Sequence, residues 1–191
     1  SATFDGSGNY LSGSILQYCT VEYAGAGSIP SQGIHVPAIN SLYVSPFVDH
    51  CTIQHNGSHG LYVWQPPAGV TIRITNNIFD DNLYRSMYVR TKSSSLLAAN
   101  PIIVENNTVT NTGVREGIYV HSLSAVNGAS VSVSNNSVSG SSNGAGIFAS
   151  IGRGGTLTVS NNTIADNSDE GLTLAGAYFP NNTATSTSVI A

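Results

Sequence analysis

The adjacent carboxylates Asp80-Asp81 are a first candidate for acid–base chemistry. Hydrolysing a glycosidic bond takes two carboxyl groups facing each other across it, about 5–9.5 Å apart. Sequence neighbours in an extended strand point to opposite faces instead. The pair also fills a slot where related stretches carry turn residues, Thr110-Asn111 and Ala165-Asp166, so it reads as a turn. The histidines His35, His50, His55, His59 and His121 lack the paired Cys/His spacing of a zinc site. Calcium takes 6–8 oxygen ligands, largely carboxylate, and the 10 acids of this chain are scattered. Asp49 and Glu105 fall in one outward column but two coils apart, about 10 Å by strand spacing. No metal site and no cofactor is expected from these residues.

A different chemistry is written in four phrases: GLYVW, SMYVR, GIYVH and GIFAS. If each phrase is a strand, Tyr62, Tyr88, Tyr119 and Phe148 share one outward column, with His35 and Thr173 at its ends. Trp64, Arg90 and His121 fall in the next, flanked by Pro37, Ser150 and Ala175. A contiguous exposed aromatic patch marks an interaction surface. Flat rings along a groove suit stacking on sugars, with Arg90 and His121 supplying hydrogen bonds. The same stripe would also serve protein–protein contact, or simply stabilise a sheet by cross-strand stacking. One position before the glycine lies a further column: Gln32, His59, Arg85, Glu116, Ala145 and Glu170. Arg85 and Glu116 are then neighbours, either a surface ion pair or a proton-transfer group beside the aromatic patch.

These columns presuppose a repeat. The phrases QYCTVEY, DHCTIQH, TNNIFDD, ENNTVTN, SNNSVSG and SNNTIAD anchor on Val21, Ile53, Phe79, Val109, Val138 and Ile164. Each is followed by an apolar-x-apolar phrase: GIHV, GLYV, SMYV, GIYV, GIFA, GLTL. Short alternating stretches broken by Asn, Gly and Ser read as strand and turn, with no sustained helical period. Such repeats make an all-β parallel solenoid of about six coils over residues 11–176, within a single domain 1–191. The inward columns are then apolar throughout: Leu16, Val48, Ile74, Val104, Val133, Val159; and Ile34, Leu61, Met87, Ile118, Ile147, Leu172. A third inward column reads Val36, Val63, Val89, Val120, Ala149, Leu174. Asn77, Asn107, Asn136 and Asn162 fall at one tight turn, where side-chain amides can bond from coil to coil. Cys19 and Cys51 hold that place in the first two coils, as buried thiols or, less compatibly with bridge geometry, a disulfide.

With its NNT-aliphatic and GIYV phrases and its Asn77–Asn162 column, the chain resembles the right-handed parallel β-helix proteins of the pectate-lyase-like superfamily. The resemblance implies that fold and an internal asparagine ladder. It leaves activity open, because the superfamily spans lyases, hydrolases, epimerases, tailspikes, adhesins and non-catalytic surface proteins. Pectin-degrading hydrolases of this fold carry paired aspartates, Gly-His-Gly and Arg-x-Lys. Here Asp80-Asp81, Ser58-His59-Gly60 and Arg90-Thr91-Lys92 stand in the wrong order, without a third acid. Lyases of the fold hold Ca²⁺ with several acids, so Ca²⁺ is implied only under a lyase reading.

Charged residues are 8% of the chain, far below the average of about 25%. The net charge of −4 speaks against nucleic acid or an anionic membrane surface as partner. No apolar run is long enough to span a bilayer. The Ser/Thr/Asn-rich composition suits an extracellular or cell-surface protein. Sequons stand at Asn56, Asn106, Asn135, Asn161 and Asn181, three of them by-products of the turn phrase. Neither end reads as a polar cap, which leaves stacking of copies end to end as one expectation. The expected function is a non-catalytic structural or adhesive module, with polysaccharide or its own copies as partners. The alternative is a polysaccharide lyase or glycoside hydrolase centred on Arg90, His121 and Glu116.

Overall fold

The computed structural model describes residues 1–25, 35–91, 100–123, 129–152 and 155–176. Its described residues form three parallel sheets of six strands each, so equivalent strands of successive coils are hydrogen-bonded neighbours. Sheet I comprises Ile15–Gln17, Phe47–Asp49, Ile72–Thr75, Ile102–Glu105, Ser130–Ser134 and Thr156–Ser160. Sheet II comprises Thr20–Glu22, Thr52–Gln54, Ile78–Asp80, Thr108–Thr110, Ser137–Ser139 and Thr163–Ala165. Sheet III comprises Ile39–Leu42, Leu61–Trp64, Met87–Arg90, Ile118–Ser122, Ile147–Ile151 and Leu172–Gly176. The chain thus runs through six rungs, about five full turns from first to last. Outside the solenoid, Thr3–Phe4 and Tyr10–Ser12 pair antiparallel. This hairpin lies against sheet I, with Phe4 edge-on to Phe47 and Arg73 Nη1 donating to the Gly8 carbonyl at 2.8 Å.

Alternation makes the core. Val48, Ile74, Val104, Val133 and Val159 point inward from sheet I; Ile53, Phe79, Val109 and Val138 from sheet II; Leu61, Met87, Ile118 and Ile147 from sheet III. Because rungs repeat every strand spacing, about 4.8 Å, each column packs like residue on like residue without a gap. The same tight spacing explains the glycine of the GIYV phrase. A β-carbon on Gly117 would sit 2.9 Å from both the Gly146 carbonyl oxygen and Val138 Cγ1, so a side chain has no room there.

The two asparagines of each NN phrase divide the labour of the turn between sheets I and II. The first adopts the left-handed conformation: Asn76, Asn106, Asn135 and Asn161 have φ between 55° and 57°. Asparagine tolerates this region better than most side chains. The second points inward. Asn107 Oδ1 accepts from Asn77 N and Nδ2, both at 3.0 Å. Asn136 Oδ1 accepts in turn from Asn107 N and Nδ2, at 2.9 and 3.0 Å. Asn162 Oδ1 accepts from Asn136 N and Nδ2, both at 2.9 Å. All four are buried. The ladder ends at Cys51, whose N–H donates to Asn77 Oδ1 at 2.9 Å. Cys19 and Cys51 are free thiols, and burial raises the pKa of Cys51.

A second polar column, without a phrase to announce it, closes the turn between sheets II and III. Asn56 Oδ1 accepts from Ala24 N at 3.0 Å, and its amide donates to Asn82 Oδ1 at 2.8 Å. Thr112 Oγ1 bonds Ser86 Oγ at 2.8 Å, and Asn167 Oδ1 accepts from Ser141 N at 3.0 Å. Asn56 is therefore a buried ladder residue, and its sequon offers no accessible acceptor. Asn106, Asn135 and Asn161 stand exposed in one row, while Asn181 lies outside the described residues.

Two further expectations need correction. The first strand of sheet III is Ile39–Leu42, paired as Ile39–Leu61, Asn40–Tyr62, Ser41–Val63 and Leu42–Trp64. The phrase GIHV resembles the later strands, but Val36–Ala38 passes close over Gly25, where an added β-carbon would lie 2.7 Å from the Val36 carbonyl oxygen. Asn40 and Leu42, not His35 and Pro37, therefore head the outward columns, and Ser41 replaces Val36 inside, its hydroxyl donating to Val44 O at 2.9 Å. Ile34 and Gln32 lie outside the described residues. The column of Gln17, Asp49, Thr75 and Glu105 is likewise not open to water at Asp49, which is 4% exposed. Its carboxylate accepts from Gln17 Nε2, Thr75 Oγ1 and Asn76 Nδ2 at 2.7–2.8 Å, with His50 Nδ1 at 2.7 Å. Burial opposes ionisation of Asp49, but these donors outweigh it and hold its pKa below the usual carboxylate range.

Candidate functional site

The outer face of sheet III gathers most of the candidate residues. Parallel register sets Tyr62, Tyr88, Tyr119 and Phe148 over one another. Their rings form an uninterrupted stack: Tyr62–Tyr88 at 4.7 Å, Tyr88–Tyr119 at 4.9 Å and Tyr119–Phe148 at 4.6 Å between centroids. The planes lie within 3–7° of parallel. Strand spacing is itself near the preferred stacking distance of aromatic rings, so a column of rings on a parallel ladder falls into contact without distortion. The consequence for recognition is that inner ring faces are already occupied. Tyr88 is only 8% exposed, a buried member of what the sequence suggested was an exposed patch. What the stack shows to solvent is ring edges and phenol groups. Burial raises the pKa of Tyr62 and Tyr119, so both phenols remain protonated donors at neutral pH.

Beside the stack runs the second column. Trp64 is offset-parallel to Tyr62, with centroids 5.8 Å apart and planes at 14°. Arg90 lies over the Trp64 ring at 4.8 Å, a cation–π contact. Among the described residues Arg90 has no acidic ion-pair partner. His121 Nδ1 is 3.0 Å from the Tyr119 hydroxyl. Burial, then the nearby Arg90 charge, lowers the His121 pKa, which keeps the ring neutral at physiological pH.

On the other flank, Arg85 and Glu116 meet at 2.6 Å, with side chains 15% and 17% exposed. The guanidinium also lies over Tyr119 at 4.7 Å, Tyr88 at 5.2 Å and Tyr84 at 5.4 Å. Of the two readings of this pair, the geometry presents an ion pair clamping the ring stack from the side. Tyr84 was not singled out by the repeat, because it precedes the recurring phrase. Its ring also stacks with His35 at 3.9 Å. His59 stands among Tyr62, Tyr84, Tyr88 and His35, 3% exposed, with no partner for Nδ1 among the described residues. Burial, then the charges of Arg85 and His35, depress its pKa to about 3.

The hydrolase-like elements do not converge. Asp81 occupies a left-handed turn, φ 48°, and meets His55 at 3.0 Å. Asp80 accepts from Thr110 Oγ1 and Asn111 Nδ2 on the next coil. Lys92 lies outside the described residues. Among the described residues no three His, Cys, Asp or Glu side chains group as metal ligands would.

A family model described as right-handed β-helix region matches residues 3–189. The chain belongs to that family. Neither the curated proteins nor the solved structures hold a significant match to it. The family fixes the hand of this β-helix and the stacking of its coils. The fold by itself assigns no activity.

Proposed function

We propose that this β-helix is a non-catalytic extracellular or cell-surface module that holds a polysaccharide along the outer face of sheet III. The observation that carries the reading is the rank of Trp64, Arg90, Tyr119 and His121 beside a ring stack locked in register. Ring edges and phenols pack against the C–H and hydroxyl groups of a sugar, and Arg90 offers donors without a competing acid among the described residues. A linear polymer laid along the solenoid axis meets the same kind of group at each rung. The clamp of Arg85 and Glu116 holds the rings in place, so little side-chain entropy is lost on binding. Affinity electrophoresis through gels containing neutral and uronic-acid polysaccharides tests the reading. Retardation by at least one polymer, lost in Arg90→Ala and Trp64→Ala, is the expected result. Depolymerisation of that polymer, with or without Ca²⁺, abolished by Arg90→Ala, would replace it with the lyase or hydrolase alternative.

A second reading, end-to-end association, draws on the first rung. Tyr18, Tyr23 and Tyr43 stand at its three corners, 74%, 79% and 66% exposed, each in the left-handed conformation. Tyrosine is costly there, and the same rung leaves Ile15 and Leu42 exposed. Its strands are also the free edges of all three sheets at that end, surfaces able to accept a further rung. Sedimentation at rising concentration tests it: growing oligomers support association, and a fixed monomer refutes it.

A further inference from the structure

Among the described residues the ring stack ends at Asn40 before Tyr62 and at Thr173 after Phe148. Every rung from Tyr62 to Phe148 contributes an aromatic ring, but the strand before Tyr62 contributes Asn40 at the paired position. Asn40 has no ring to cover the remaining face of Tyr62. In its stead the chain leaves a cleft of about 240 Å³ lined by His35, Val36, Pro37, Asn40, Leu42 and Tyr62. The register of the first coil, with Ile39–Leu42 as its sheet III strand, creates this cleft. His35 is not the next ring of the column; it is turned aside onto Tyr84 at 3.9 Å, and forms a wall.

We propose that this cleft is a binding slot for a single pyranose ring, the terminal residue of the polysaccharide assigned to sheet III; it rests on that reading. The shape follows from the stack: the occupant must be ring-sized and lie parallel to Tyr62. The chemistry follows from the lining. Val36, Pro37 and Leu42 supply apolar walls for the C–H face of a sugar. Asn40 presents both a carbonyl acceptor and an amide donor, the pairing that vicinal hydroxyls satisfy together. Ligand sites of this build, mostly apolar with a few convergent polar groups, are the usual pattern for small-molecule recognition. The Tyr62 ring needs no reorganisation, since Tyr88 backs it at 4.7 Å and His59 abuts it at 5.3 Å. The slot therefore gives the face an end, and the protein a preference for chain termini over chain interiors.

The test uses the whole chain and two variants. Asn40→Phe puts a fifth ring into the stack and closes the slot; its melting temperature, at or above wild type, shows that it folds. Titrations with glucose, galactose, mannose, N-acetylglucosamine and the corresponding uronic acids are followed by NMR at the Asn40 side-chain amide. At least one sugar should shift that resonance saturably, and Asn40→Phe should weaken its binding tenfold or more. Wild-type affinity in a folded Asn40→Phe, or no sugar shifting the Asn40 amide, overturns the slot. Should Asn40→Phe not fold, the wild-type amide shifts decide alone. Indole and phenol run in parallel: saturable binding by these with none by sugars overturns the proposal in favour of an aromatic side chain as occupant. Failure of the slot is separable from failure of the face. Polymer binding lost in Arg90→Ala but kept in Asn40→Phe removes only the slot; monosaccharide binding at Asn40 with no polymer dependence on Arg90 removes only the face.

Discussion

Replacing Asn107 by alanine tests the internal ladder at its centre. Asn107 Oδ1 is the acceptor for the buried Asn77 N–H, and its amide donates to Asn136 Oδ1 and the carbonyls of Ile74 and Glu105. Alanine leaves the Asn77 N–H without a partner in a site no water reaches, at a cost of about 1–3 kcal/mol. The remaining amide bonds contribute about 1 kcal/mol each, discounted because the two carbonyls lie in otherwise bonded strands. The sum is about 3 kcal/mol, which for a chain of this size lowers Tm by roughly 6–12 °C. The control is its neighbour. Asn106 is exposed and contributes only its left-handed backbone, so Asn106→Ala should cost about 1 kcal/mol or less. Urea titration of both variants measures the difference. Equal losses, or a loss below that of Asn106→Ala, would refute the division of labour between the two asparagines.

The ladder also predicts a gain. Cys51→Asn places an amide below Asn77, with the Cys19 N–H as donor to it and Leu16 O, already 3.5 Å from Cys51 Sγ, as acceptor; Tm should rise, by about 1 kcal/mol of added stability. His59 makes the fold acid-sensitive. Its folded pKa of about 3 lies below the ordinary 6.5, so the unfolded chain binds the extra proton in between, and stability falls as pH drops from 6.5. The loss approaches about 3 kcal/mol near pH 4.5 at about 1.4 kcal/mol per pH unit; between pH 7 and 4.5 the stability of wild type relative to His59→Phe should fall by about that much if this is correct, and stay constant if not. Expressed in a glycosylating host, the chain should carry sugars at Asn106, Asn135 or Asn161 and none at Asn56; glycopeptides bearing modified Asn56 would contradict its burial.

The parts of this molecule that repeat were legible in the sequence, and the parts that deviate were not. Val104, Val133 and Val159 announce their column because burial demands the same residue type at every rung, and Asn107 and Asn136 because one turn recurs. The second polar column stayed hidden because its members, Asn56, Asn82, Thr112, Ser141 and Asn167, share a role but not a residue type. The first strand of sheet III was misplaced for the opposite reason. GIHV shares the residue types of a strand, but its described residues His35 and Val36 precede the paired strand, and only pairing in space identifies Ile39–Leu42. Likewise the aromatic stripe was readable as a column, whereas the mutual covering of its rings follows from a centroid spacing that sequence does not carry. The seat of Arg85 on Tyr84, Tyr88 and Tyr119 is set by side-chain conformation and was beyond reach as well.

Polysaccharide contact at sheet III can be followed through Trp64, the single tryptophan of the chain, which stands on the proposed face beneath Arg90. Its fluorescence, followed during titration with the polysaccharides that retard the protein, reports contact at that face and nowhere else. A saturable spectral shift with the same midpoint as the binding, diminished in Arg90→Ala, is the expected result. A polymer that binds with full affinity while the Trp64 emission stays unchanged would place recognition elsewhere and contradict binding at this face.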